Sequence, residues 1–417
     1  MMNNILKYLA ILTASLVLIS CEDNPGGTTG VIDPKPVSLG VKSVALVGSS
    51  NDFAFDFFEG IRASEDGSKN IMISPLSASL ALAMAYNGAV GETKLAMEEA
   101  LRLQGLTPDE INKSFKELIN ILTDLDPKVA MEIANSIWYR NTVTVKPVFI
   151  QTNQNYYNAE VTPLDFNNPE SKDIVNQWVS DHTHGKIDQI IDNINPLDIM
   201  YLINAIYFKG TWSYRFDADN TESGPFTLGN GTVINVPTMY MKADVDYFSN
   251  DHAEAIVLPY GQGNFRMAVI LPNEGNTPDA VADLMTDEIW NQWITGKYKR
   301  NELEIYLPKF KFEFKKQLKD VLTAMGMGIA FSETDADFSG VSDELYLYIT
   351  SVLQKTFIEV NEEGTEAAAV TSVTFGTTSV GPDPWFKADH PFLFVIYEQE
   401  TNAILFMGKV VNPLLAE

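Results

Sequence analysis

Apolar residues recur at helical spacing through the first half of the chain and at strand spacing through the second. Phe53, Phe57 and Ile61 repeat every four residues and so share one helix face. Ser74-Pro75 supplies a cap and a proline suited to the first helical turn, before Leu76, Leu80, Ala83 and Met84. Thr107-Pro108-Asp109-Glu110 has the spacing of a capping box and precedes Ile111, Phe115, Leu118 and Leu122 on one face. Ile174 and Trp178 mark a further helix. Strand-like runs follow at 200–208, 256–259, 265–271, 303–307, 392–397 and 405–411. The run from Tyr201 to Phe208 is almost continuously apolar, which predicts a strand covered on both faces. No linker-like stretch interrupts residues 41–417 and no internal repeat is present, so the pattern predicts one large α+β domain.

One segment combines both kinds of signal. From Lys355 to Val360, residues Thr356, Ile358 and Val360 lie on one face and Lys355, Phe357 and Glu359 on the other, the period of two of a strand. If that register continues past Gly364, then Thr365, Ala367, Ala369 and Thr371 share a face. All four are small enough to slide between packed elements. Such a segment can join a sheet after the rest has folded. The same residues, Glu362-Glu363-Gly364-Thr365-Glu366-Ala367-Ala368-Ala369, also suit a turn followed by an alanine-rich helix, and local propensity favours that alternative.

Composition narrows the class. The chain has 417 residues, 45% of them hydrophobic, enough to bury a large core. Its net charge of -26 repels phosphate backbones and anionic lipid faces, which argues against nucleic-acid partners. Lys7 followed by the apolar run Tyr8 to Ile19 is too short to span a bilayer but suits a secretory signal. Leu18-Ile19-Ser20-Cys21 resembles a bacterial lipobox, which implies removal of residues 1–20 and a lipid anchor on Cys21; a cleaved signal peptide with an incidental cysteine is the plainer alternative. Cys21 is the only cysteine, so no internal disulfide or cysteine metal cluster can form. Residues 21–40 are rich in Gly, Pro, Thr and Asp and read as a flexible tether. Glu22 and Asp23 resemble an export signal of bacterial surface lipoproteins, which places the chain at the outer membrane, on its outer or periplasmic face.

Catalytic and metal motifs do not emerge. The four histidines, His182, His184, His252 and His390, lack metalloprotease spacing, and no G-x-S-x-G elbow occurs. Gly88 with Gly91 and Gly261 with Gly263 lack the remaining features of nucleotide loops and read as turns. No cofactor, metal or enzymatic activity is expected.

Several separated motifs do carry a resemblance. Asn70-Ile71-Met72-Ile73-Ser74-Pro75-Leu76-Ser77, Asn204-Ala205-Ile206-Tyr207-Phe208-Lys209-Gly210-Thr211-Trp212 and Phe357 to Ala368 are similar to serpin signatures, in serpin order. So are Asp389-His390-Pro391-Phe392 and the closing Leu405 to Pro413. The resemblance implies a single domain of three β-sheets, with a large central sheet A, and eight to nine helices. It also implies a metastable monomer with an exposed reactive centre loop from Gly364 to about Pro384, and suicide inhibition of serine proteases. The protease cleaves the loop, is held as an acyl-enzyme, and is carried across the molecule as the loop inserts into the central sheet.

Residue roles carry over from the same motifs. Glu362, Glu363, Gly364, Thr365, Glu366, Ala367, Ala368 and Ala369 correspond to the hinge, and Trp212 to the breach where the loop first enters. Ser74, Ser77 and Asn204 correspond to a polar shutter, and Gln354 stands where a shutter histidine is usual. Counting sixteen residues from Glu362 gives a reactive bond at Thr378-Ser379; counting back from His390 gives Val380 instead, and Phe375 offers a secondary cut. Residues of this size suit elastase-like or subtilisin-like proteases, with papain-like cysteine proteases as a further target class. No Arg or Lys lies between Gly364 and Trp385, which argues against trypsin-like targets. A non-inhibitory member acting as a binding or scaffold protein is the alternative.

Overall fold

The computed structural model describes residues 32–344, 346–365 and 384–416. The chain opens with α1 (Val41–Ser64), β1 (Ile71–Ile73), α2 (Pro75–Tyr86), α3 (Gly91–Ala100), α4 (Pro108–Thr123) and β2 (Val129–Arg140). Next come α5 (Pro147–Tyr157), β3 (Glu160–Leu164), α6 (Ser171–His182), β4 (Met200–Thr211), β5 (Glu222–Thr227) and β6 (Val233–Ser249). A third block holds β7 (Ala253–Tyr260), β8 (Phe265–Pro272), α7 (Pro278–Ala282), α8 (Asp287–Gly296), β9 (Tyr298–Pro308), β10 (Phe310–Gln317) and α9 (Lys319–Leu322). The last comprises β11 (Leu353–Asn361), β12 (Gly364–Thr365), β13 (Trp385–Lys387), β14 (Phe392–Glu398) and β15 (Ile404–Val410).

The helix starts follow their local chemistry. Ser74 caps α2, its hydroxyl accepting from the Ser77 amide with Pro75 at the first turn. At α4 the Thr107 hydroxyl accepts from the Glu110 amide while the Glu110 carboxylate accepts from Thr107, closing the capping box.

Two hydrogen-bonded sheets form. One has six strands in the order β10-β11-β12-β4-β2-β3; the other runs β1-β15-β14-β8-β7-β6-β9-β13, with β5 added at β6. Three sheets were expected. The second and third are joined because β6, 17 residues long, pairs with β5 and β9 along most of its length and with β7 at its end. The main core lies between the sheets, with Phe208, Phe312, Ile358, Phe394 and Phe406 buried there. A second cluster sits under α6, where Trp138, Val175 and Trp178 meet Ile203 and Ala205 of β4. Strand β4 is therefore covered on both faces, each by a different layer.

Residues 32–40, assigned on sequence to the tether, have no regular secondary structure and lie along the body. The fully buried Asn264 amide accepts from the Lys35 amide at 2.9 Å and donates to the Lys35 carbonyl at 2.8 Å, so a side chain satisfies its burial with tether backbone.

Candidate functional site

The six-stranded sheet contains a two-residue strand. Glu362 and Glu363 turn the chain back from β11, and Gly364-Thr365 then enters between β11 and β4, antiparallel to both. Val360 faces Thr365 on one side and Gly210 faces it on the other. Among the described residues no ladder joins β11 directly to β4. Beside Thr365 a narrow cleft lies between them, lined among others by Ile206 and Phe208 of β4 and Phe357 and Ile358 of β11.

Each hinge residue at this entry is fixed by a partner distant in sequence. Gly364 has φ +142°, a region that L side chains rarely adopt. A Cβ there would collide with the Gly210 carbonyl oxygen and lie 2.8 Å from the Thr211 Cα and 2.9 Å from the Trp212 amide. Thr365 is buried, and its hydroxyl bonds the Tyr260 hydroxyl at 2.7 Å. Tyr260 is stacked on Trp212 with centroids 4.3 Å apart, and burial pushes its phenol well above the usual value. The Trp212 indole N–H donates to the Asn361 carbonyl at 3.0 Å, and its amide donates to Glu363 at 2.7 Å. Trp212 thus clamps the turn from above.

Glu362 is held by charge. Lys309 approaches its carboxylate at 2.8 Å and the Thr221 hydroxyl donates to it at 2.8 Å. Burial opposes ionisation of this carboxyl, but the ammonium and hydrogen bonds outweigh it and keep the group below the usual glutamate value.

The expected shutter residues are partly brought together. The Gln354 amide accepts from the Ser74 amide at 3.1 Å and donates to the Ser74 carbonyl at 2.8 Å, while the Ser74 hydroxyl donates to Leu405. Ser77 joins through its cap bond to Ser74. Asn204 does not: its side-chain Nδ2 donates across the β2–β4 pair to the Asn135 Oδ1 at 2.7 Å, and its own side-chain Oδ1 is buried without a partner among the described residues. Glu366, Ala367, Ala368, Ala369, Phe375, Thr378, Ser379, Val380 and Cys21 lie outside the described residues.

Sequence reading missed Tyr260, Lys309 and Thr221. The strand expected at 256–259 stops one residue short of Tyr260, and Lys309 lies 53 residues from Glu362, so no local pattern marks either as a site residue.

A sheet that admits a short extra strand at one end, with a glycine hinge before it, defines a class of protein built around strand addition. A family model described as "Serpin (serine protease inhibitor)" matches residues 48–413. A serpin-like protein of Thermococcus kodakarensis is 36% identical over 88% of this chain and 86% of its own length. Human serpin B8 is 35% identical over 88% of this chain and 99% of its own. Among solved structures, the thermophilic serpin tengpin in its native state superposes with a TM-score of 0.81 at 32% identity, covering 91% of this chain and 96% of its own. Thyroxine-binding globulin, solved with thyroxine, gives 0.80 at 30% identity over 89% of this chain and all of its own. The chain belongs to the serpin family.

Proposed function

We propose that this serpin is a suicide inhibitor of serine proteases, with a reactive bond at Thr378-Ser379 and elastase-like or subtilisin-like targets. The protease serine attacks the Thr378 carbonyl, an ester forms, and the Ser379 amine leaves. The freed segment then extends β12 into the sheet. The observation that best supports this reading is the position of Gly364-Thr365, already paired between β11 and β4 at the head of a cleft that continues between the same two strands. Extension requires no new topology, only further rungs of an existing ladder.

Incubation of the protein with pancreatic elastase and with subtilisin tests this. The expected product is a denaturant-stable covalent complex, with release of a peptide beginning at Ser379. Gly364→Ala, whose added Cβ meets backbone at the entry, is expected to be cleaved at the same bond with most of the trapping lost. Cleavage of the wild type by every enzyme without a trapped species would leave the second reading, a binding protein. That reading has one observation in its favour: thyroxine-binding globulin, solved with its ligand, has the same fold.

We also propose that the inhibitor is held at the bacterial outer membrane by a lipid on Cys21. Membrane fractionation of the wild type against Cys21→Ser should move the variant to the soluble fraction; equal partitioning would refute the anchor.

A further inference from the structure

Between β13 and β14 the chain turns a corner at Ala388-Asp389-His390-Pro391, and three other strands meet it there. The Ala388 amide donates to the Tyr306 carbonyl of β9 at 2.9 Å, and the Asp389 carbonyl accepts from the amide of Thr227, the last residue of β5, at 2.7 Å. The His390 ring reaches the last residue of β8, Pro272, whose carbonyl oxygen lies 2.9 Å from Nε2. The other ring nitrogen, Nδ1, lies 3.0 Å from the Asp389 Oδ1.

Both ring partners can only accept. A backbone carbonyl and an ionised carboxylate offer no proton, and a neutral imidazole donates from one nitrogen alone, so only the imidazolium makes both bonds at once. The surroundings favour that form. The Asp389 carboxylate is the main influence raising His390 above the usual histidine value; burial opposes it, and the Pro272 carbonyl and the Glu254 carboxylate of β7 add to it. Glu254 itself accepts from the Tyr247 hydroxyl of β6 at 2.6 Å. Burial also opposes ionisation of Asp389, but His390 and Lys387, 3.5 Å away on β13, outweigh it and hold that carboxyl below the usual aspartate value. The anion that the ring needs is therefore present wherever the ring titrates.

We propose that Asp389 and His390 form a pH-sensitive latch that fastens β13 to the ends of β5 and β8, closed while the ring is protonated and loosened when it is neutral. Loss of the proton leaves one of the two acceptors facing a nitrogen lone pair, so one bond goes and two electron-rich atoms are left in contact. Strand β13 is sensitive to this because it has three residues and, among the described residues, pairs with β9 alone. The folded value of the ring lies above the unfolded one, so the latch contributes in full below about pH 6.5 and is lost as pH rises through the folded value. The His390 side chain is 35% exposed, so solvent screens the pair and the corner loosens without unfolding the molecule. The latch acts whether or not the protein traps a protease.

The test is hydrogen exchange of the full chain, read as protection factors so that the intrinsic pH dependence of exchange is removed, at the Thr227 and Ala388 amides that bond across the corner. Between about pH 6 and about pH 9 the wild-type protection of both should fall about fivefold, while that of the β2–β4 ladder holds. His390→Gln, whose side chain does not titrate, should show the lower protection at both ends of the range. Asp389→Asn, which removes the anion and keeps an acceptor, should move the fall to lower pH, and the His390 ring signal in the nuclear magnetic resonance spectrum should titrate lower in that variant than in the wild type. Protection that stays flat in the wild type, or falls equally in His390→Gln, overturns the latch. A wild-type His390 signal that titrates at or below the unfolded value overturns it as well, and that measurement needs no variant to fold.

Discussion

Glu362 is one of two adjacent glutamates, and only tertiary contacts distinguish its role. The Lys309 ammonium and Thr221 hydroxyl hold its carboxyl below the ordinary value despite burial. An unfolded glutamate ionises near 4.3. With the folded value depressed, the stabilisation is complete above the unfolded value and is lost as pH falls through the folded one. Replacing the ammonium by Lys309→Met removes the source of the depression. The variant is expected to lose about 1 kcal/mol at pH 7 and to show a weaker decline of stability below pH 4.5 than the wild type. Melting curves recorded from pH 7 to pH 3 check this; parallel curves for the two proteins would show that the pair contributes no pH dependence.

At the scale of elements, legibility tracked how locally each signal is written. The ends of α2 and α4 are set by residues within four positions, and both caps appear as read. Strand β11 was legible because one of its faces is buried: Gln354, Thr356, Ile358 and Val360 alternate with less buried neighbours. The turn at Gly364 was also legible, and Gly364-Thr365 pairs with β11 and β4; the alanines after it, for which a helix was the local alternative, lie outside the described residues. Strand β6 escaped notice because its burial follows no single period along its 17 residues and its register against β9 shifts between Ala243 and Val245. The four residues carried over as a shutter do not all meet. Gln354 satisfies its amide on the Ser74 backbone, an arrangement that depends on β11 lying beside the start of α2, and Asn204 bonds within the β2–β4 pair instead. Residue identities name the participants.

At the scale of the whole molecule, the six-stranded sheet is incompletely paired at its centre among the described residues. Strands β4 and β11 flank a cleft instead of sharing a ladder among the described residues, while Tyr260 bonds Thr365 and Trp212 and Lys309 hold the turn before it. On the inhibitor reading, extension from Thr365 would start from these two paired residues, and each added rung would contribute roughly 1 kcal/mol net. Insertion of the segment from Glu366 to Thr378 should stabilise the molecule by on the order of 10 kcal/mol once its inner side chains are also buried. The chain is bonded at Pro384 to β9, at the edge of the other sheet, and on the same reading this tie would restrain full insertion. Cutting the loop between the two attachments would release it. For a chain of this length, cleavage at Thr378-Ser379 should then raise the melting temperature by on the order of 10 °C or more. Differential scanning calorimetry of the intact and nicked protein, with the two fragments kept together, measures the difference. A nicked protein that melts at or below the temperature of the intact one would mean that the cleft does not accept the strand, and the trapping mechanism would fall with it.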